Sequence, residues 1–114
     1  YAEVYMEYAE VCFLLSEVNG WDSQWYKKGV IASMEKWGVD TTVATNFANT
    51  LPTANKENVI TQKYIALYMN PNEAWAEYRR TGYPQTLIKV GETNYFRGDY
   101  LYLHLYCSGT YRPA

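Results

Sequence analysis

Acidic side chains spaced three and four residues apart are the first candidates for chemistry in this chain. Glu3, Glu7 and Glu10 share one face of a predicted N-terminal helix. Glycoside hydrolysis requires two carboxylates about 5 to 10 Å apart in a cleft. No apolar pocket surrounds these residues in the sequence, so a solvated helix face is the simpler interpretation. His104 has no Ser or Cys nucleophile in a recognisable motif, and we predict no catalytic residue and no enzyme activity.

Metal and disulfide chemistry is also not expected. Cys12 and Cys107 are the only cysteines, and they lie far apart from each other in the sequence. Together with one histidine they have no metal-ligand spacing, and they are too few for a disulfide framework. Cys12 falls in an apolar helical stripe, where a buried free thiol is expected. The sequence therefore predicts no metal and no cofactor.

Charge and aromatic content narrow the possible partners. Ten Lys and Arg against twelve Asp and Glu leave a net charge of −2 without basic blocks, so nucleic acid is not an expected partner. Aromatic residues make up 18% of the chain, with thirteen Tyr and four Trp. Their rings join an apolar face to a polar edge, which suits protein interfaces and stacking on sugar rings.

Trp21 and Trp25 are the candidate ligand-binding residues. They bracket a predicted helix start after Gly20, and of the four Trp these two are expected to be partly exposed. Residues 22–24 (Asp, Ser, Gln) could hydrogen-bond a sugar that stacks on the rings. The alternative is that both rings pack against neighbouring helices, because Trp is usually substantially buried.

Helices over about residues 1–82 are the elements that would position these groups. Apolar spacing predicts a first helix over residues 1–18 and a second from Asp22 or Ser23 to Gly38. Their short connection predicts an antiparallel hairpin, and Gly29 in the second helix indicates close approach of the first. Residues 39–54 are rich in Thr and Asn and are predicted to form an ordered loop.

Two more helices are predicted in the second half of the chain. Thr53 or Asn55 can cap a third helix that ends near residue 70. The fourth is delimited by a motif that we interpret as structural, and whose residues are Asn70, Pro71, Glu73, Trp75, Arg79, Arg80, Gly82 and Pro84.

The structural motif combines several end signals of a short helix. Asn70 as N-cap, with Pro71 at the first helical position, starts the helix, and Gly82 ends it. Trp75 and Tyr78 are expected to face inward. The arginine pair is expected to bond one helix-end carbonyl and one carboxylate, the alternative being an anionic sugar.

The C-terminal part is predicted to be extended over residues 83–114. Residues 100–107 (YLYLHLYC) alternate strictly between apolar Leu and polar or aromatic residues, which is typical of a half-buried strand. The whole chain is interpreted as one segment with a mainly α fold.

Residues 57–85 contain three short motifs, ITQK at 60–63, EAW at 73–75 and RRTGYP at 79–84, and the first two predicted helices add YAE at 8–10 and YKKGV at 26–30. In these motifs the chain resembles the C-terminal segment of the SusD/RagB family of Bacteroidetes outer-membrane lipoproteins. The resemblance covers about residues 1–90. Residues 97–114 depart from the usual end of family members, which carries a basic pair and a Tyr-Pro motif before a Glu and an Asn.

The resemblance implies a tetratricopeptide-like helical fold that binds oligosaccharide or polysaccharide at the cell surface. It also implies a SusC-like, TonB-dependent transporter as partner, a lipid anchor and no catalysis. Family members are several times longer, and the chain has no start Met, so we expect a C-terminal slice that exposes an apolar face and self-associates. The alternative function is a tetratricopeptide-like scaffold that binds a protein and no sugar.

Overall fold

A computed structural model describes residues 4–87 of the chain, and within that range the chain is helical. The helices are α1 (Tyr8–Val18), α2 (Ser23–Lys36), α3 (Thr41–Thr50), α4 (Lys56–Ala66) and α5 (Pro71–Thr81). The prediction of a mainly α fold is confirmed. The predicted strand at 100–107 lies outside the described residues, as does nearly all of the predicted extended segment.

The first two helices form the predicted antiparallel hairpin. At one end Lys36 of α2 pairs with Glu7, the residue before α1. At the other end the Ser16 hydroxyl donates to the Asp22 carbonyl at 2.8 Å. A Cβ on Gly29 would lie 2.9 Å from the Phe13 ring, so the predicted close approach is confirmed and only glycine fits there without a shift.

The prediction that the first helix begins at residue 1 is wrong for residues 4–7. Glu7 has extended backbone, with φ −95° and ψ 152°, and α1 begins after it. Val4 and Tyr5 are 67% and 86% exposed. Because these apolar side chains bury little surface against the described residues, packing supplies little stabilisation for a further helical turn.

The loop predicted over residues 39–54 is also wrong, since α3 occupies most of it. Asp40 caps this helix by accepting a hydrogen bond from the Thr42 amide at 2.8 Å. Ala44 and Ala48, one turn apart, are buried at 0% and 1% exposure, and α3 packs on α2. A cap and a buried alanine pair therefore outweigh the low helix propensity of Thr and Asn.

Asparagine side chains cap the first turns of α4 and α5. Asn55 accepts from the Asn58 amide at 2.8 Å and begins α4, which ends at Ala66 and not near residue 70 as predicted. Asn70 accepts from the Glu73 amide at 3.4 Å and begins α5. Gly82 closes α5 with a φ of 75°, in the left-handed region that favours glycine.

The buried faces of α4 and α5 contain charges that the sequence did not indicate. On α5 the buried residues are Ala74 and Glu77. Trp75 and Tyr78 are half-buried, and their rings stack with centroids 6.1 Å apart, so the prediction that both face inward is met only in part. An aromatic pair covers the side of α5, and a carboxylate faces the core.

The hydrophobic core lies between α1, α2 and α4. Its buried cluster consists of Ala9, Phe13, Tyr26, Val30 and Val59. Cys12 is fully buried beside it as a free thiol, which confirms the prediction for that residue. None of the described helices combines the length and the apolar character needed to span a membrane.

Candidate functional site

A charge network of Glu17, Lys63, Glu77 and Arg80 joins α1, α4 and α5. Lys63 is 1% exposed, and its Nζ lies 3.1 Å from Glu77 Oε1. Arg80 donates to Glu77 through Nε at 3.1 Å and Nη2 at 2.9 Å. Arg80 also donates two hydrogen bonds to the Glu17 carboxylate, from Nη1 to Oε1 at 2.7 Å and from Nη2 to Oε2 at 2.8 Å. Such paired bonds are the strong, directional form of this contact.

The network lowers the pKa of both of its carboxylates. Burial alone would raise the pKa of Glu77, but hydrogen bonds from Arg80 and Lys63 outweigh it and keep that pKa below its ordinary value. The hydrogen bond from Arg80 likewise lowers the pKa of Glu17. Arg80 therefore bonds carboxylates within the fold, and Arg79 is exposed on the same helical turn. Ion-paired carboxylates with lowered pKa values are poorly suited to act as general acids.

The α1–α2 turn carries Trp21 and Trp25, the predicted ligand-binding residues. Both are half-buried. Trp21 packs against the core cluster with a left-handed φ of 66°, and Lys28 Nζ lies 4.5 Å from the Trp25 ring centroid. The Asp22 carboxylate is occupied as the α2 cap by the amides of Gln24 and Trp25 at 2.9 and 3.0 Å. One of the expected sugar-binding groups at this turn, Asp22, is thus already used by the fold, whereas Ser23 and Gln24 are exposed.

The most exposed tryptophan in the described residues lies elsewhere. Trp37 is 52% exposed. Trp21 and Trp25 are partly exposed as expected, but the expectation that they would be more exposed than Trp37 is wrong. Trp37 follows the last residue of α2 and lies beyond the core cluster, whereas Trp21 is folded back onto that cluster. Tyr68 meets the Trp37 ring edge-on, with centroids 5.9 Å apart, and is 74% exposed.

An open pocket of about 320 Å³ lies beside this aromatic pair, where α1 begins and α4 ends. We call it the end pocket, and its polar and sulfur-bearing lining residues are Met6, Glu7, Glu10, Lys36, Met69 and Asn70. Lys36 connects the pocket with the aromatic pair, because its Nζ lies 5.0 Å from the Trp37 ring centroid. We call the Trp37–Tyr68 pair the aromatic rim.

Glu10 is the buried carboxylate of the end pocket. The predicted solvated acidic face is wrong at this position, because Glu10 is only 5% exposed. Burial raises the pKa of its carboxyl, and the nearby carboxylates of Glu73, Glu77 and Glu7 add to this while Lys63 opposes it. Sequence reasoning missed the burial of Glu10 and Lys63, because a helical repeat does not indicate which charged residue a distant helix will cover.

Metal binding and glycoside hydrolysis are the two other chemistries that the described residues can be checked for. Within residues 4–87, no three His, Cys, Asp or Glu side chains come together as a metal site. Of the three glutamates considered for hydrolysis, Glu7 is ion-paired with Lys36 and Glu3 lies outside the described residues.

Comparison with known proteins places these features in a family. A family model for SusD-like proteins, described as starch-binding and associating with the outer membrane, matches residues 2–96. No curated protein and no solved structure matches the chain. The match spans all five described helices, and so includes the charge network, the α1–α2 turn and the end pocket.

Proposed function

The chain belongs to the SusD-like family of starch-binding proteins that associate with the outer membrane, and from this we propose that it is a non-catalytic oligosaccharide-binding component of a nutrient-uptake system. The observation that carries the proposal is the family match over residues 2–96, which takes in every described helix. In this role the protein is held at the cell surface by a lipid anchor. It presents bound oligosaccharide to a SusC-like, TonB-dependent transporter.

The chemistry of the described surface supports a binding role. Exposed aromatic rings lie next to hydrogen-bonding groups at the end pocket and, less openly, at the α1–α2 turn. This combination suits a ligand with apolar ring faces and polar edges. The carboxylates of the charge network hold the helices together, since Glu17 and Glu77 are bonded to Arg80. Sugar binding without bond cleavage requires no more than this.

Trp21 and Trp25 remain proposed ligand contacts at the α1–α2 turn. Each keeps part of its surface exposed, and a half-exposed indole can stack on one sugar ring. The Lys28 side chain over Trp25 would have to move for that ring to accept a sugar on the same face.

Calorimetric titration of the chain with maltoheptaose, a soluble fragment of starch, tests the proposed function. We expect saturable binding with no release of shorter sugars on prolonged incubation. Trp21→Ala and Trp25→Ala test the turn, and Phe47→Ala is the matched control because Phe47 is an exposed aromatic on α3. Absence of binding to starch fragments and to a wider glycan panel would contradict the proposal, and product release would contradict its non-catalytic part.

The transporter and the location need a cellular test. A tagged copy expressed in its own cells should fractionate with the outer membrane and co-purify with a TonB-dependent transporter. Recovery in the outer-membrane fraction without any transporter would leave glycan binding intact and contradict the proposed partner.

A protein-binding scaffold is the second candidate, and the outer face of α3 favours it. Val43 and Phe47, one turn apart, are 55% and 44% exposed. An exposed apolar pair on a helix is suited to packing against another helix. Light scattering should show self-association or partner binding that Val43→Ser with Phe47→Ser removes. Sugar binding that survives this double change would separate the two functions.

A further inference from the structure

The end pocket contains a buried acceptor that the fold does not use. Glu10 is 5% exposed, and no hydrogen bond or ion pair to its carboxylate comes from the residues that the structure describes. The nearly equally buried Glu77, at 6%, receives bonds from two cations. A buried carboxylate without a donor is costly and calls for an explanation.

The carboxylate of Glu10 is not sealed off from the pocket. Within residues 4–87, the Tyr26 hydroxyl is the one fully enclosed side-chain polar atom that lacks a hydrogen-bond partner. The oxygens of Glu10 also lack such a partner, so they are not fully enclosed. Since Glu10 lines the end pocket, these oxygens can be reached by a donor that enters it.

The charge of the pocket limits what that donor can be. Glu7 and Lys36 neutralise each other as an ion pair, which leaves Glu10 as the remaining acidic group of the lining. An anionic sugar would place a second negative charge against a poorly solvated carboxylate, and that arrangement is unfavourable. A neutral sugar instead offers several hydroxyl donors.

The aromatic rim lies next to the end pocket, so a second sugar unit could stack on it while the first occupies the pocket. Tyr68 lies between Leu67 and Met69, both of which line the pocket, and Trp37 follows Lys36, which also lines it. A Trp ring with about half of its surface exposed can stack on the next unit while the first unit occupies the pocket. The polar and aromatic groups thus lie side by side on one end of the helices.

We propose that the end pocket and the aromatic rim form a binding site for adjoining neutral sugar units of an oligosaccharide. Glu10 accepts hydrogen bonds from ring hydroxyls, and Trp37 stacks on a ring face. The proposal rests on the proposed function and gives it a location and a preference for uncharged glycans, distinct from the α1–α2 turn.

The test is calorimetric titration of the full 114-residue chain with maltoheptaose and with an oligogalacturonate, in wild type and matched variants. Trp37→Ala and Glu10→Gln are the test variants, and Phe47→Ala is the matched control, an exposed aromatic on α3. Each Trp37→Ala or Glu10→Gln change should weaken maltoheptaose binding about tenfold or more, as loss of one stacking or hydrogen-bonding partner does. Phe47→Ala should change it less than twofold, and oligogalacturonate should not bind.

A second measurement keeps the proposal testable if Glu10→Gln unfolds the chain. The indole N–H resonances of the four tryptophans are followed by NMR during maltoheptaose titration of the wild type, and Trp37→Ala identifies one of them. A ligand-dependent shift of the Trp37 signal larger than that of Trp25 supports the site.

The outcomes separate the two proposals. Maltoheptaose binding that Trp25→Ala weakens and Trp37→Ala leaves unchanged would overturn the end-pocket site and keep the proposed function. Tighter binding of oligogalacturonate than of maltoheptaose would overturn the preference for neutral sugars. Absence of binding to any glycan would overturn both.

Discussion

Glu77 and Glu10 are equally buried, at 6% and 5% exposure, yet their surroundings are opposite. Glu77 is bonded by Lys63 and Arg80, and its pKa lies below the ordinary value although burial opposes this. Glu10 receives no hydrogen bond from the described residues, and burial raises its pKa. Burial therefore does not by itself decide the state of a carboxylate here. The donors that surround it do.

This contrast distinguishes the charge network, which holds helices together, from the end pocket, which can accept a ligand. The charge network joins three helices through bonds that are complete within the chain. The end pocket contains an acceptor that no described residue bonds, and the aromatic rim beside it has two exposed rings. A satisfied network stabilises structure, whereas unsatisfied groups beside exposed rings are what a ligand can use.

The largest effect is expected from Glu77→Ala. The change leaves the Lys63 ammonium buried without its partner, and breaking a buried ion pair on one side costs about 3–5 kcal/mol. Urea denaturation should show this loss in the free energy of unfolding. Glu57→Ala, at an exposed position in the first turn of α4, should change it by about 0.5 kcal/mol or less. A loss below about 1 kcal/mol for Glu77→Ala would mean that the network contributes no more than an exposed pair.

Gly29→Ala tests how tightly α1 and α2 are packed between the charge network and the end pocket. The added Cβ would lie 2.9 Å from the Phe13 ring, and overpacking costs about 1–3 kcal/mol. The gain in helix propensity, about 1 kcal/mol, offsets part of it. We expect a net loss of about 1 kcal/mol by urea denaturation, reduced in combination with Phe13→Leu. A stabilised Gly29→Ala protein would show that α1 and α2 can separate freely there.

Glu10→Gln should change how stability depends on pH. A raised pKa in the folded state means that the contribution of Glu10 is greatest at low pH and is lost as the pH rises through that pKa. Glu17 and Glu77 have lowered pKa values, so their contribution is lost as the pH falls through them. Lys63, Glu7, Glu73 and Glu77 all act on Glu10.

Urea denaturation between about pH 4 and pH 8 checks this prediction, with Glu57→Gln as control. The stability of Glu10→Gln relative to wild type should increase as the pH rises, by about 1 kcal/mol or less at neutral pH. Parallel curves for the two proteins would contradict the assignment of a raised pKa to Glu10.

Trp37→Ala should have the smallest effect on stability. Its ring is half exposed and pairs edge-on with Tyr68, so we expect a loss of about 0.5 kcal/mol, at the low end for aromatic pairs. Thermal unfolding by circular dichroism measures it, with Phe47→Ala for comparison. A loss above about 2 kcal/mol would make Trp37 part of the structural core and weaken its proposed role in the aromatic rim.

Most of the described helices could be predicted from the sequence because their signals are local. The caps Asp22, Asn55 and Asn70 each bond an amide in the adjoining helical turn. A glycine in mid-helix, Gly29, indicates that another helix packs closely against it. The helix α3 was missed because the buried pair of Ala44 and Ala48 is small and its segment is rich in poor helix formers. The tetratricopeptide-like arrangement and the single-segment organisation stay predictions.

The candidate site was harder to predict because its members come from separate helices. Glu10 meets charges of α4 and α5 that lie more than fifty positions away in sequence, and periodicity carries no information on such partners. The exposure of Trp37 depends on where the core ends, which is a property of the packed helices. Trp21 is partly exposed as its place in a turn predicts, but the sequence does not indicate that it also packs on the core cluster with a left-handed φ.

The arrangement of α3 has a consequence for how the molecule opens. Among the described helices α3 packs on α2 alone, whereas α4 packs on α1, α2 and α5. One side-chain contact between α3 and α2 is an exposed hydrogen bond, which Lys27 Nζ donates to Asn49 Oδ1 at 3.2 Å. A segment fastened along one side can detach while the remaining helices stay intact. Amide deuterium uptake should therefore be faster in Thr41–Thr50 than in α1 or α4.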